Sequence, residues 1–173
     1  VIKIVHGDTA YTPYSTGTWG SRCAVMAGGA VSASCEVLAT RILKIGAHLL
    51  QADIAEVSLL AGEVRSSNGA VAISDIARTW YRAPQELTSA LAADALEVTE
   101  GYRPDPDSGT FSYAAHGCVI AVDPEIGAVE ILDYVIVEDG GVLINPMVVD
   151  GQIYGGTAQG IGTALFEEMP YDE

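Results

Sequence analysis

Two stretches of this sequence combine residue types whose spacing suits chemistry. The first is Thr16-Gly17-Thr18-Trp19-Gly20-Ser21-Arg22-Cys23. Its glycines let backbone approach a bound group closely, and Thr18 and Ser21 offer hydroxyls. The apolar run that follows predicts a helix whose first free amides attract anions. The loop reads either as a cradle for a phosphate-bearing group or as an N-capping turn with Arg22 in solvent. The second stretch is a helix predicted from Pro146 to about Met169, carrying Gly151, Gly155, Gly156, Gly160 and Gly162. Each glycine inside a helix costs ~1 kcal/mol relative to alanine, so five of them need an offsetting cause. Gly151 and Gly155 are four apart, as are Gly156 and Gly160, which bares strips of backbone for a flat ligand or another chain segment. Gln152 and Gln159 are seven apart, two turns, and share a face. An amide there donates and accepts at once, which suits the edge of a heterocycle. A tightly packed core helix with Gln at its exposed ends is the other reading.

Several chemistries are excluded. Gly156-Thr157-Ala158-Gln159-Gly160-Ile161-Gly162 has the G-x-x-x-G-x-G spacing of some nicotinamide-dependent dehydrogenases, but only eleven residues follow it. The second strand and the acidic ribose ligand of a dinucleotide fold therefore do not fit. His6, His48 and His116 show no metal-ligand spacing. Cys23, Cys35 and Cys118 form no C-x-x-C and an odd set, which fits reduced thiols of a cytoplasmic protein. No serine or cysteine sits beside a base in a nucleophile motif, and Glu167-Glu168 fall at a frayed end. No residue is assigned catalysis and none a metal.

These stretches must be held by a fold. A length of 173 residues predicts one domain over 1–173. The net charge is −15, with eight basic residues against twenty-three acidic ones, which excludes phosphate-backbone recognition of nucleic acid and disfavours anionic membrane surfaces. All eight basic residues precede Pro104, and thirteen acidic residues follow Arg103. Such an imbalance is accommodated by solvation or by basic surfaces elsewhere in a larger assembly. No apolar stretch reads as a membrane span and no signal peptide is visible.

Along the chain, Val1 to Val5 predicts a strand that needs a partner from upstream, and residues 10–23 an ordered loop. Ala24 to about Leu50 predicts a long buried helix, with Arg41 and Lys44 towards its C-terminal end. Val57 to Val64 and Gly69 to Ile73 predict a hairpin, and Ser74 the cap of a helix over Asp75 to Tyr81. Residues 82–97 predict a further helical turn or two after Pro84, and Gly101 to Gly109, rich in Pro and Asp, a loop. Phe111 to Val122 and Ala128 to Val137 predict a hairpin around Asp123-Pro124-Glu125-Ile126-Gly127. Asn145-Pro146 then predicts the N-cap and first residue of a helix of about twenty residues. The class is α+β, a mixed sheet of hairpins packed with two long helices.

Five blocks read in order carry a resemblance: His6-Gly7-Asp8-Thr9, Gly17-Thr18-Trp19-Gly20-Ser21-Arg22, Phe111-Ser112-Tyr113, Asp139-x-Gly141-x-x-Ile144-Asn145-Pro146, and Gly151-Gln152-x-x-Gly155-Gly156-x-x-Gln159-Gly160-x-Gly162. Over its whole length the chain resembles the molybdenum-binding large subunit of the molybdenum hydroxylases, the xanthine dehydrogenase and aldehyde oxidase family that includes the large subunits of aerobic carbon monoxide dehydrogenases. The resemblance implies part of a molybdopterin-binding domain, in an oxidoreductase that oxidises or hydroxylates a small substrate with oxygen from water. It implies a molybdopterin cofactor in the cytosine dinucleotide form, and partner subunits or domains carrying [2Fe–2S] clusters and FAD, in an oligomeric cytoplasmic enzyme. By the same resemblance Gly20, Ser21, Arg22 and Cys23 belong to the loop beside metal and pterin, and Gln159 bonds the pterin. Gln152 has a packing or cofactor-shell role.

Two positions depart from the family pattern. Cys23 stands where serine is common, and a thiol donates more weakly than a hydroxyl. Gly140 replaces an apolar residue. The family's catalytic glutamate lies in a V-G-E segment that this sequence does not contain, and its Gly-rich and Gly-Gln-Gly segments are missing as well. The sequence thus reads as an internal fragment, without turnover and with little or no cofactor binding on its own. The resemblance further implies that loop and Gly-rich helix wall one crevice. The alternative is a non-enzymatic α+β binding or interaction module whose Gly-rich helix packs on a partner.

Overall fold

The computed structural model describes residues 2–105 and 111–172. The chain divides into two compact units, Val1–Thr110 and Phe111–Glu173. In the first, α1 is Cys23–Leu50, β1 Ser58–Leu60, β2 Glu63–Ser66, β3 Gly69–Ala72, α2 Ile73–Arg82 and α3 Ser89–Ala93. In the second, β4 is Tyr113–Val122, β5 Val129–Asp139 and α4 Pro146–Leu165. The α+β class holds, with two long helices and with the hairpins divided between a three-stranded and a two-stranded antiparallel sheet.

The long first helix forms as its run of small and apolar residues predicts, but it is buried only towards its C-terminal end, at Ile42, Ile45, Gly46 and Ala47. There Ile42 and Ile45 join Val64 of β2, Ile76 of α2 and Leu87 in one core cluster. Against the expectation that no apolar stretch reads as a membrane span, α1 is apolar enough to cross one by length and composition alone, while its Ile42 and Ile45 pack into the core cluster. Its end is fixed from two sides. Gln51 takes a left-handed φ of 52° and Ala52 N–H donates to Ala47 O at 3.0 Å. Asn68 Nδ2, from the β2–β3 turn, donates to the carbonyls of Leu50 and Gln51 at 3.0 and 3.2 Å. His48 Nε2 meets Glu86 O at 2.9 Å, tying the last turn of α1 to the segment before α3.

Three local expectations are corrected. The predicted hairpin over residues 57–73 is two hairpins, because Ala61 and Gly62 take φ of 51° and 82° and turn the chain between β1 and β2. Both central residues of a type I′ turn need positive φ, and Ala61 gives no sign of that in its type. Ser74 does not cap α2: β3 runs directly into the helix, Ala72 occupies the cap position, and no side chain accepts from the first turn. Residues 2–5 form no strand, since no described segment pairs with them, and Ile2, Ile4 and Val5 are exposed. Of the Gly101–Gly109 loop, residues 101–105 carry neither helix nor strand, and Pro106 to Gly109 lie outside the described residues, as does Val1.

The second unit is built on the predicted hairpin. Asp123 N–H donates to Ala128 O at 2.9 Å, Gly127 N–H to Asp123 O at 2.8 Å, and Gly127 takes the positive φ of 70° that closes the turn. A bulge between Val119 and Ile120 interrupts the ladder. On one face Ile131, Tyr134 and Ile136 are half-buried, and on α4 Val149, Ile153, Thr157 and Ile161 repeat every fourth residue with the same partial burial. The opposite face leaves Val119, Val135 and Val137 exposed. Asn145 caps α4 as predicted, its side chain accepting from Val148 N–H at 3.4 Å, with Pro146 as first helical residue.

Candidate functional site

The loop before α1 is shaped by three departures from ordinary backbone, two of them adjacent. Gly17, Gly20 and Ser21 have φ of 80°, 60° and 55°. Gly20 and Ser21 are the centre of a turn closed by Arg22 N–H donating to Trp19 O at 3.4 Å. Ser21 is the informative member, because a side chain at positive φ costs roughly 1–2 kcal/mol that glycine would avoid. Strain of this kind collects where a backbone shape is needed for function.

Arg22 occupies the cap position of α1, and no side chain accepts from the first amides of the helix. No acidic residue lies in its first turn. The guanidinium folds back over the loop instead of entering solvent. Nη2 donates to Thr16 Oγ1 at 2.7 Å and to Gly17 O at 3.1 Å, and Cζ lies 4.0 Å from the centroid of the Trp19 ring. Arg22 Nε is shielded from water and has no acceptor among the described residues. Cys23 follows as an exposed free thiol.

The result is a local concentration of positive potential in a chain of net charge −15: a helix N-terminus with uncompensated amides, joined to a guanidinium that takes part in neither ion pair of the described residues, Glu63–Arg65 and Asp75–Arg78. A Cβ built on Gly17 or Gly20 would meet nothing within 4 Å, so the backbone is open to a close-lying group. Such a loop fits an anionic, phosphate-bearing group.

In the second unit, α4 is not the tightly packed core helix that its glycines also allow, since none of its residues is buried. A Cβ on Gly151, Gly155, Gly156 or Gly160 would meet nothing within 4 Å, so packing inside the unit does not require these glycines. Between α4 and the hairpin lies an open groove of about 330 Å³, lined by His116, Tyr134 and Glu138 of the hairpin and by Gln152, Gly156 and Gly160 among others. Gln159 is exposed and does not line it, so the two glutamines that share a helix face meet different surroundings.

Sequence reasoning missed two pairings. One is the Arg22 clamp on Thr16, Gly17 and Trp19, whose only signal was a cation and an aromatic three apart in a Gly-rich loop. The other is His116 Nδ1 against Tyr134 Oη at 3.1 Å. Strand alternation contained it: His116 pairs Ile136 and Cys118 pairs Tyr134, so the two rings are diagonal neighbours on one face. Gly20, Ser21, Arg22 and Cys23 are contiguous in the first unit, and Gln159 belongs to the second. Among the described residues no group of three or more His, Cys, Asp and Glu is placed to hold a metal ion.

The chain is similar to several known proteins. It is 33% identical over 174 residues to the nicotine 6-hydroxylase large subunit of Paenarthrobacter nicotinovorans, covering 99% of this chain and 21% of that one. It is 30% identical over 172 residues to the carbon monoxide dehydrogenase large chain of Hydrogenophaga pseudoflava, covering 99% and 21%. The crystal structure of quinoline 2-oxidoreductase from Pseudomonas putida 86 superposes with a TM-score of 0.75 at 30% identity, over 95% of this chain and 21% of that chain. The chain thus spans about a fifth of the length of these relatives. The model of a molybdopterin cofactor-binding domain matches residues 1–173, and the chain belongs to that family.

Proposed function

We propose that this chain forms part of the molybdopterin site of a large subunit in a molybdenum hydroxylase, an oxidoreductase acting on a small substrate. The observation that carries the reading is the uncapped N-terminus of α1, entered through left-handed Gly20 and Ser21 and bordered by the Arg22 guanidinium. A pterin phosphate is the kind of anion that such amides and such a cation accept. In this reading Gly20, Ser21, Arg22 and Cys23 form the receiving loop, and the Gln159 amide, exposed on α4, bonds the heterocycle edge. The chemistry that such a group supplies when bound is two-electron oxidation at molybdenum, with water as the source of oxygen.

The cytosine dinucleotide form of the cofactor is proposed because its diphosphate adds charge that a positive loop favours. Iron–sulfur and flavin groups on partner subunits would then carry the electrons away. Relatives named as a large subunit and a large chain support an assembly of several subunits. The free thiols Cys23, Cys35 and Cys118 support a reducing, cytoplasmic setting. No residue of this chain is proposed as a base or metal ligand, and the chain alone is proposed to be inactive.

The test is to express the longer natural subunit containing this sequence and to measure its molybdenum content and its reduction of a dye acceptor. Stoichiometric molybdenum with dye reduction supports the reading. A folded, metal-free, inactive subunit would favour the interaction module.

A further inference from the structure

The residue that closes the loop is also the one that shapes it. The Arg22 side chain reaches back across six positions to Thr16, five to Gly17 and three to Trp19, so one planar cation ties the end of the segment to its start and its middle. Little else holds the segment. Gly17 N–H donates to Ser15 Oγ at 3.2 Å, the turn at Gly20-Ser21 has one long hydrogen bond, and Trp19 is 61% exposed. Three positive-φ residues give the loop freedom that it must lose to present one surface.

We propose that Arg22 is a positioning residue. It holds the 16–22 loop in its cofactor-receiving shape by acting through Thr16, Gly17 and Trp19, and its charge on the cofactor is secondary. This inference rests on the cofactor reading above for its purpose, but the clamp itself stands on the contacts within the loop. The two roles make opposite demands on the side chain. A direct charge role needs only a cation at the helix N-terminus, which lysine supplies. A clamp needs the guanidinium plane, which stacks on an indole while its N–H groups bond two acceptors, and an ammonium does not do both.

The experiment compares Arg22→Lys, Arg22→Ala and Thr16→Val in the cofactor-loaded subunit that contains this sequence. Molybdenum per subunit is one readout, and Trp19 emission, taken as the difference from Trp19→Phe, is the other. Both Arg22 variants are expected to lose at least about tenfold in molybdenum content together, with altered Trp19 emission, and Thr16→Val to lose part of it. Arg22→Lys at wild-type molybdenum content, or Trp19 emission unchanged in both Arg22 variants, overturns the clamp. Should the Arg22 variants fail to fold, Thr16→Val decides: molybdenum content equal to wild type overturns the proposal. If the wild-type subunit holds no molybdenum, the cofactor reading fails, and Trp19 emission still decides the clamp.

Discussion

Gly46 of α1 and Val64 of β2 are in such close register that a Cβ on Gly46 would lie 2.6 Å from Val64 Cγ1 and 2.7 Å from Val64 Cβ. Val64 is fully buried, so its branched side chain has nowhere to withdraw. The glycine is what lets the helix settle on the three-stranded sheet. Gly46→Ala is therefore expected to destabilise the chain by about 1–3 kcal/mol despite the better helix propensity of alanine. Urea denaturation checks this, and an unchanged or raised midpoint contradicts it.

The glycines of α4 should behave in the opposite way. Gly155 and Gly156 have open space where a Cβ would be, so Gly155→Ala and Gly156→Ala should each favour the helix by up to ~1 kcal/mol in this chain. If these positions are small because a further surface or ligand lies on them, the same changes should lower molybdenum content in the longer subunit. Stability by denaturation and metal by elemental analysis separate the two effects. A loss of helix stability from either substitution contradicts the open geometry.

Ser21 tests the strained turn. Ser21→Gly should be neutral or stabilising, because glycine occupies a φ of 55° freely, whereas Ser21→Val should cost about 1–3 kcal/mol. Equal midpoints for the two variants would show that the turn carries no strain.

Tyr81 gives a pH signature. Burial first, and then the Glu97 carboxylate that accepts from its hydroxyl at 3.4 Å, raise its pKa above 10.0. The folded state thus holds the phenol proton more tightly than the unfolded state. The associated stability is complete below the unfolded value of 10.0 and is lost as pH rises through the higher folded value. Tyr81 as a whole is 55% exposed, so this desolvation is partial and the effect modest. Urea midpoints of the wild type should fall more steeply above pH 10 than those of Tyr81→Phe, and parallel curves contradict this.

The parts of the fold legible in the sequence are those whose signals are local. Asn145-Pro146 marks the start of α4, Asp123 to Gly127 marks the β4–β5 turn, and the run after Cys23 marks α1. The parts that were not legible depend on partners or on unusual backbone. Ala61 takes a positive φ that its type does not advertise, and residues 2–5 have strand composition but no strand beside them. For the site, the Gly-rich loop and its helix terminus were visible as chemistry. The inward fold of Arg22 was not, because it goes together with positive φ at Gly17, Gly20 and Ser21, and Ser21 does not advertise that by its type.

Cofactor stoichiometry tests the central claim most directly. In the longer subunit containing this sequence, acid release should yield about one molybdenum and one cytidine monophosphate per chain, and Gln159→Ala should lower both together by about tenfold if its amide bonds the pterin. A folded wild-type subunit that releases neither would contradict the account.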